Sequence, residues 1–294
     1  MAAQLTGQVI ASFGRQYRVE LADGRQLNCV PRGKKSELAC GDRVEIQETG
    51  GEQGVVEKIL PRRSLLYRSD AFRQKLIAAN VTQLVIVVAS EPSFSDELLT
   101  RCLLAAHDQD LRPLIVLNKC DLTEAASRAR AQLAPYRAIG YPVIELSAQH
   151  SAADLLPLLH GQHSVLVGQS GMGKSTLINA LIPGAQAATR EISTVLDSGK
   201  HTTTHAKLYR VDEASTLIDC PGVQAFGLHH LDSAAIAAGF LEFAPYRGQC
   251  RFYNCRHQRE PDCALSAAAA RGEISPRRLQ LFQTISTGSP PAAF

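Results

Sequence analysis

No long apolar run occurs in these 294 residues. The longest, Leu84 to Ala89, is far too short to cross a bilayer, and Met1 to Val19 has none of the apolar stretch of a secretory signal. A cytoplasmic location is expected. A strong charge of one sign is missing too: the net charge of +3 is too small to identify nucleic acid as a partner by itself. There is no internal repeat. A disulfide scaffold is also excluded, because Cys29, Cys40, Cys102 and Cys120 are scattered singly through ordinary folded segments and read, with Cys220, as reduced thiols. With 45% hydrophobic residues, the chain is long enough for two or three domains, each with its own core.

Residues 6–63 are short and strand-like. Gly7–Ser12, Gln16–Leu21, Arg43–Ile46 and Gly54–Ile59 are separated by turn signals at Asp23-Gly24 and Thr49–Glu52, which predicts a small antiparallel barrel. Arg32, Lys34 and Lys35 share a Gly-containing loop that suits oligonucleotide binding, although neighbouring acids nearly cancel the charge and protein contact fits equally well. Pro61–Ser64 reads as a linker. From Leu84 the texture changes to buried strands (84–88, 114–117, 143–146, 164–167, 216–219) alternating with helices (96–107, 124–139, 174–181), the signature of a parallel sheet covered on both faces. After Leu231 the chain is helical, then cysteine-rich and basic: seven arginines from Arg247 to Arg278 face Glu260, Asp262 and Glu273. The last residues, from Thr287 through Gly288-Ser289-Pro290-Pro291, read as a disordered tail.

Each candidate motif follows one of the predicted strands, where open α/β sheets bind ligands. Gly168-Gln169-Ser170-Gly171-Met172-Gly173-Lys174-Ser175 is a complete G-x-x-x-x-G-K-S phosphate loop, followed by Thr176. Backbone N–H groups of such a loop point at phosphates from the positive end of a helix, Lys174 adds charge at the β and γ positions, and Ser175 offers an oxygen to Mg²⁺. Asn118-Lys119-Cys120-Asp121 has the Asn-Lys-x-Asp form that reads guanine: the Asp121 carboxylate accepts the N1–H and exocyclic amino protons, Lys119 packs along the purine, and Asn118 ties the loop to its neighbours. Ser147-Ala148 fits the loop whose N–H meets the guanine O6. The guanine element precedes the phosphate loop, whereas ordinary GTPases have it after, so the site reads as circularly permuted.

Two elements are candidates to sense the γ-phosphate. In Asp219-Cys220-Pro221-Gly222 the Asp would hold Mg²⁺ through water and the Gly222 N–H would meet the γ-phosphate; an ordinary strand-to-turn transition is the alternative. Within Gly199–His205, Thr203 is the choice for the second Mg²⁺ oxygen among Thr202, Thr203 and Thr204, against a plain β-forming run. Val223 stands where many GTPases carry the Gln that orients water, and it cannot hydrogen-bond, so intrinsic hydrolysis is expected to be slow. His201 is the candidate to position that water; a solvated histidine is the alternative. The second switch leads through 226–231 directly into the C-terminal segment, so loss of the γ-phosphate is expected to reposition it.

Cys250, Cys255, His257 and Cys263 supply three thiolates and an imidazole, the set for a closed structural zinc site. Arginines interleaved with Phe252 and Tyr253 around it suit contact with RNA phosphates and bases, a merely solvated face being the alternative.

Taken together, the barrel, the permuted order of Asn118–Asp121, Ser147-Ala148, Gly168–Ser175, Thr202–Thr204 and Asp219–Gly222, and the Cys250/Cys255/His257/Cys263 knuckle make the chain resemble the ribosome-small-subunit-dependent GTPase A family, also called RsgA or YjeQ-like. The resemblance spans nearly the whole chain. It implies a multidomain fold: an N-terminal OB-like β-barrel (1–63), a central circularly permuted α/β P-loop GTPase domain (64–230) and a C-terminal α-helical zinc-binding domain (231–294). It further implies GTP or GDP with Mg²⁺, one structural Zn²⁺, a small-subunit and rRNA partner late in subunit assembly, and hydrolysis to GDP and phosphate stimulated by that subunit. A monomer is expected. Rival readings are a permuted GTPase of large-subunit assembly, a GTP-gated RNA-binding scaffold with little hydrolysis, and an ATP-dependent RNA factor.

Overall fold

A computed structural model describes residues 4–33, 37–69, 74–187, 206–220 and 226–287. Five strands, β1 (Gln4–Phe13), β2 (Gln16–Leu21), β3 (Gln26–Pro31), β4 (Arg43–Gly50) and β5 (Gln53–Ile59), pair in the order β1-β2-β3-β5-β4, and β4 returns to β1 to close a barrel. Alternation does the work. In β2, Tyr17, Val19 and Leu21 face inward while their neighbours face out, and with Leu27, Cys29, Val44, Ile46 and Val56 they fill a core of the barrel's own. Gly7 permits closure: a Cβ there would lie 2.7 Å from both the Glu20 carbonyl oxygen and Val19 Cγ1.

A hairpin, β6 (Leu65–Ser69) and β7 (Gln74–Ala79), leads into the second region. There β8 (Gln83–Ala89), β9 (Arg112–Asn118), β10 (Val143–Glu145), β11 (His163–Val167), β12 (Lys207–Arg210) and β13 (Thr216–Asp219) pair in the order β10-β9-β8-β11-β13-β12, parallel except for β12. Every residue of β8 is buried, as a central strand covered on both faces requires. Helices α1 (Asp96–Asp108), α2 (Thr123–Ile139), α3 (Leu156–Leu159) and α4 (Lys174–Leu181) belong to this region. Helix α1 begins because Ser95 Oγ accepts the Leu98 N–H and Asp96 and Glu97 occupy its positive first turn. Helix α2 stops at Gly140, which takes the left-handed conformation (φ 102°).

The barrel joins this sheet by strand pairing. The Ser12 N–H donates to the Ala206 carbonyl, Ala11 sits opposite Lys207, and Arg210 pairs with Glu20. The C-terminal segment joins by packing. Its helices α5 (Ser233–Gly239), α6 (Ala264–Ala270) and α7 (Pro276–Thr287) share one core with the sheet, and Phe240, Phe243 and Phe282 stack within 5.5 Å of each other.

The expected helices and sheet strands are present with ends moved by one or two residues. Three features were not anticipated. Strand β3 ends in a proline, β12 spans only four residues with a basic residue at each end, and the hairpin 65–79 falls between the Pro61–Ser64 linker and the sheet, where no element was expected. Because β12 runs antiparallel at the junction with the barrel, the sheet is mixed where an all-parallel one was expected, and the barrel, expected to be antiparallel, closes through a parallel pairing of β3 with β5. Lys34, Lys35 and the tail 288–294 lie outside the described residues.

Candidate active site and metal centre

The site lies where β8, β9, β10, β11 and β13 end side by side. Asn118, the last residue of β9 and 2% exposed, holds three of these ends together. Its Nδ2 donates to the Met172 carbonyl of the phosphate loop at 2.9 Å. Its Oδ1 accepts from the Lys119 N–H at 2.8 Å and the Ala148 N–H at 2.9 Å. One amide side chain thus joins the guanine element, the 147–148 loop and the phosphate loop, although Asn118 and Met172 are far apart in sequence.

The phosphate loop is shaped by close backbone approach. A Cβ on Gly168 (φ 150°) would meet the Val87 carbonyl oxygen at 2.2 Å, and one on Gly173 (φ 87°) would meet Asn118 Nδ2 at 2.3 Å. Gly173 caps α4, so Lys174, Ser175 and Thr176 form its first turn, where helix N–H groups are free for an anion. Lys174 Nζ donates to the carbonyls of Gly168 and Gln169 at 2.7 and 2.8 Å. A Cβ on Gly171 would lie 3.5 Å from the Pro92 ring, Ser170 is exposed, and Met172 is buried beneath the loop. Burial lowers the Lys174 pKa, opposed by the charge of Asp219; burial raises Asp219 in turn, opposed by Lys174. The parallel pairing of β11 with β13 sets Asp219 opposite Leu166, so the end of β13 lies beside the strand that runs into the phosphate loop.

The guanine half is equally ordered. Lys119 takes a left-handed conformation (φ 61°) and donates from Nζ to the Glu91 carbonyl at 2.8 Å, with its stem beside Gly173. Asp121 Oδ1 accepts from Ser147 Oγ at 2.5 Å, and this hydrogen bond holds the carboxyl below its ordinary pKa. Three contributors were not anticipated. Ser90 Oγ donates to the Lys119 carbonyl at 2.7 Å, His150 Nδ1 lies 3.0 Å from Ser147 Oγ, and the Ser95 N–H donates to Gln169 Oε1 at 2.9 Å. Their signal was position: Ser90 immediately follows a central strand. Thr202, Thr203, Thr204, His201, Gly222 and Val223 lie outside the described residues.

The cysteine cluster forms a second centre. His257 Nδ1 lies 3.5, 3.6 and 3.4 Å from the sulfurs of Cys250, Cys255 and Cys263, and all four ligand atoms fall within 4.8 Å of one another. A tetrahedron with Zn–S of about 2.3 Å and Zn–N of about 2.0 Å has sulfur-to-nitrogen edges of about 3.5 Å, so the residues fit zinc. Burial lowers the His257 pKa and favours the neutral, ligating imidazole. Burial also pushes the Cys255 thiol up to about 12. At Cys263 burial acts the same way but is outweighed by hydrogen bonds from Ser266 and Leu265 at the start of α6, which hold its thiol below the ordinary value. The Gln283 side chain on α7 donates to the His257 carbonyl at 2.8 Å and ties the knuckle to the helices. The remaining cysteines are free thiols.

This geometry is that of a nucleotide site whose base and phosphate elements meet in shuffled order, and comparison with known proteins agrees. A family model described as RsgA GTPase matches residues 59–229. The chain belongs to the RsgA GTPase family. A curated relative from Nitrosospira multiformis, named small ribosomal subunit biogenesis GTPase RsgA, is 56% identical over 281 residues, covering 96% of this chain and 90% of the relative. One of the same name from Bordetella pertussis is 54% identical over 286 residues, covering 96% and 95%. Among solved structures, YjeQ from Thermotoga maritima matches with a TM-score of 0.73 at 28% identity, covering 97% of this chain and 98% of that one. YloQ, described as a circularly permuted GTPase, matches with a TM-score of 0.68 at 26% identity, covering 99% and 98%. The guanine nucleotide and Mg²⁺ follow from the family. Among the described residues no helix is long and apolar enough to cross a membrane.

Proposed function

We propose that this GTPase binds the small ribosomal subunit, assists its late maturation, and hydrolyses GTP to GDP and phosphate faster when the subunit is bound. The observation that carries the enzymatic half is the Asn118 bond to the Met172 carbonyl, which makes base reading and phosphate binding one pocket. The subunit comes from the names of relatives more than half identical across nearly the whole chain.

In this reading Asp121 accepts the guanine N1–H and amino protons, Lys119 lies along the ring, and the loop at Ser147-Ala148 faces O6. Loop N–H groups from Gly168 to Lys174 cradle the phosphates, and the Lys174 ammonium stabilises charge as it spreads over the transferring γ-phosphoryl group. Ser175, Thr203 and Asp219 would hold Mg²⁺, which would supply positive charge to offset the negative charge developing on the phosphates. Gly222 senses the γ-phosphate and His201 positions the attacking water. We assign the OB-like barrel to 1–63, the circularly permuted GTPase domain to 64–230 and a zinc-binding helical domain to 231–294, working as a cytoplasmic monomer with rRNA contacts at the basic knuckle.

Turnover with and without purified small subunits tests the reading. Stimulation is expected; equal rates would remove the subunit-dependent enzyme and favour the GTP-gated scaffold that Val223 suggests. Stimulation by large subunits alone would redirect the partner. Single-turnover hydrolysis by His201→Ala that equals the parent, with GTP binding intact, would sink the water-positioning role.

A further inference from the structure

Nothing in the chemistry above uses the side chain of Gln169, yet the structure ties it down. Its Oε1 accepts the Ser95 N–H at 2.9 Å, and Ser95 is the residue that caps α1. The next residue, Asp96, is 5% exposed and held from two other elements. Gln132 of α2 donates to its Oδ1 at 2.8 Å, and Arg277 of α7 donates to its Oδ2. Arg278 then enters between α1 and α2. It is 2% exposed, pairs with Glu242 at 2.7 Å, donates to Thr100 Oγ1 at 3.0 Å, and lies 4.9 Å and 4.5 Å from the ring centroids of Tyr136 and Phe240.

These contacts form a continuous chain from the second residue of the phosphate loop to the last helix. A buried, ion-paired arginine is costly to half-undo, since loss of one partner leaves the other charge buried without compensation. The C-terminal segment therefore docks in one defined pose. The first turn of α1 is rigidly shared between that pose and the phosphate loop, because Ser95 and Asp96 are adjacent and each is bonded to a different side.

We propose that Gln169 is a positioning residue through which docking of the C-terminal helices on α1 sets the shape of the phosphate loop, with Ser95, Asp96 and Arg277 as the links. This rests on the GTPase reading and adds a regulatory connection to it that does not run through either switch. By reciprocity of binding, whatever docking does for the phosphates, bound phosphates do for docking. A ribosomal partner that pulls on the C-terminal segment would reach the phosphate loop directly.

A double-mutant cycle on the full-length, zinc-loaded protein tests it, with GDP affinity as the readout. Gln169→Ala and Arg277→Ala are each expected to weaken GDP about 5-fold or more, the lower end of ordinary coupling between sites. The double variant is expected to be within about 2-fold of the weaker single one, because both cut the same chain of contacts. Affinity for GMP, which lacks the β-phosphate, is expected to change less than about 2-fold in Arg277→Ala, whereas general loosening would weaken both nucleotides alike. Arg277→Lys, which keeps the charge for Asp96, is expected to recover most of the lost GDP affinity. If Arg277→Ala does not fold, Asp96→Asn replaces it in the cycle, since an Asn Oδ1 still accepts from Gln132 while the charge for Arg277 is gone. Hydrogen exchange over 276–287 is expected to slow on GDP binding in the parent and not in Gln169→Ala saturated with GDP. Losses that multiply in the double variant, or equal losses for GDP and GMP, would overturn the inference while leaving the GTPase reading intact. No GDP binding by the parent protein would overturn both.

Discussion

The nucleotide site and the cysteine knuckle are both assembled from loops, but different things hold them in shape. At the nucleotide site the sheet does it: five strand ends set the loops, and Asn118 stitches three of them with hydrogen bonds of 2.8 to 2.9 Å. At the knuckle no strand or helix contains Cys250, Cys255 or His257, and the four ligands converge from irregular chain between Tyr246 and α6. One geometry is imposed by the fold; the other fits zinc, and the expectation is that zinc completes it and then supports the fold. The sites should therefore fail in different ways when their contents or contacts are removed.

Stripping the metal should have the largest effect. Structural zinc contributes roughly 10–16 kcal/mol of apparent binding energy in small zinc-finger peptides, all of it available to hold the fold. Chelation, or Cys255→Ser, is expected to free one Zn²⁺ per chain and raise hydrogen exchange over 247–263. The sheet and GDP binding should survive, apart from the loss that the link through α1 transmits. Loss of the whole sheet on chelation would break the comparison. Next is base reading. Asp121→Asn is expected to turn preference from guanine to xanthine nucleotides, in a site able to discriminate by on the order of 10⁴, because an amide offers a donor where the carboxylate offered an acceptor. Competition binding with GDP and XDP measures it, and retained guanine preference would show that Asp121 is not the reader.

Smaller effects concern the phosphate loop and its stitches. Lys174→Ala should lower single-turnover GTP hydrolysis about 10²- to 10³-fold, the ordinary cost of one transition-state donor. Asn118→Ala leaves the Met172 carbonyl and the Lys119 and Ala148 N–H groups without their partner. It should cost roughly 2–4 kcal/mol, shared between stability and GDP affinity, if each lost bond is worth about 1 kcal/mol. Calorimetric GDP titration together with a denaturant melt separates the two. Ser147→Ala should weaken GDP least of these, since it removes one hydrogen bond to an exposed carboxylate that water can replace.

Much of this was legible in sequence, for physical reasons. The phosphate loop and the guanine element are read because backbone chemistry demands glycine at tight positions and an unbroken side-chain order at the base. Buried parallel strands advertise themselves as continuous apolar runs, as in β8. Less legible was whatever depends on distant pairing. Strand β12, with four residues and two cations, exists because β1 and β13 flank it, and β3 because the barrel closes around Leu27 and Cys29. The attachment of the C-terminal segment was also hidden. Arg278 reads as one more surface cation in a basic tail, and only the fold shows it enclosed by Glu242, Thr100, Tyr136 and Phe240. The same applies to Gln169, whose partner Ser95 lies beyond another strand and a loop.

Asp121 and Lys174 are expected to serve one nucleotide despite their reversed order along the chain. A crystal structure of the GDP–Mg²⁺ complex tests that directly. The predicted result has the Asp121 carboxylate on the guanine N1 and amino groups, and Lys174 Nζ on the β-phosphate of the same molecule. A nucleotide that touches the phosphate loop while its base lies away from Asp121 and Ala148 would contradict it.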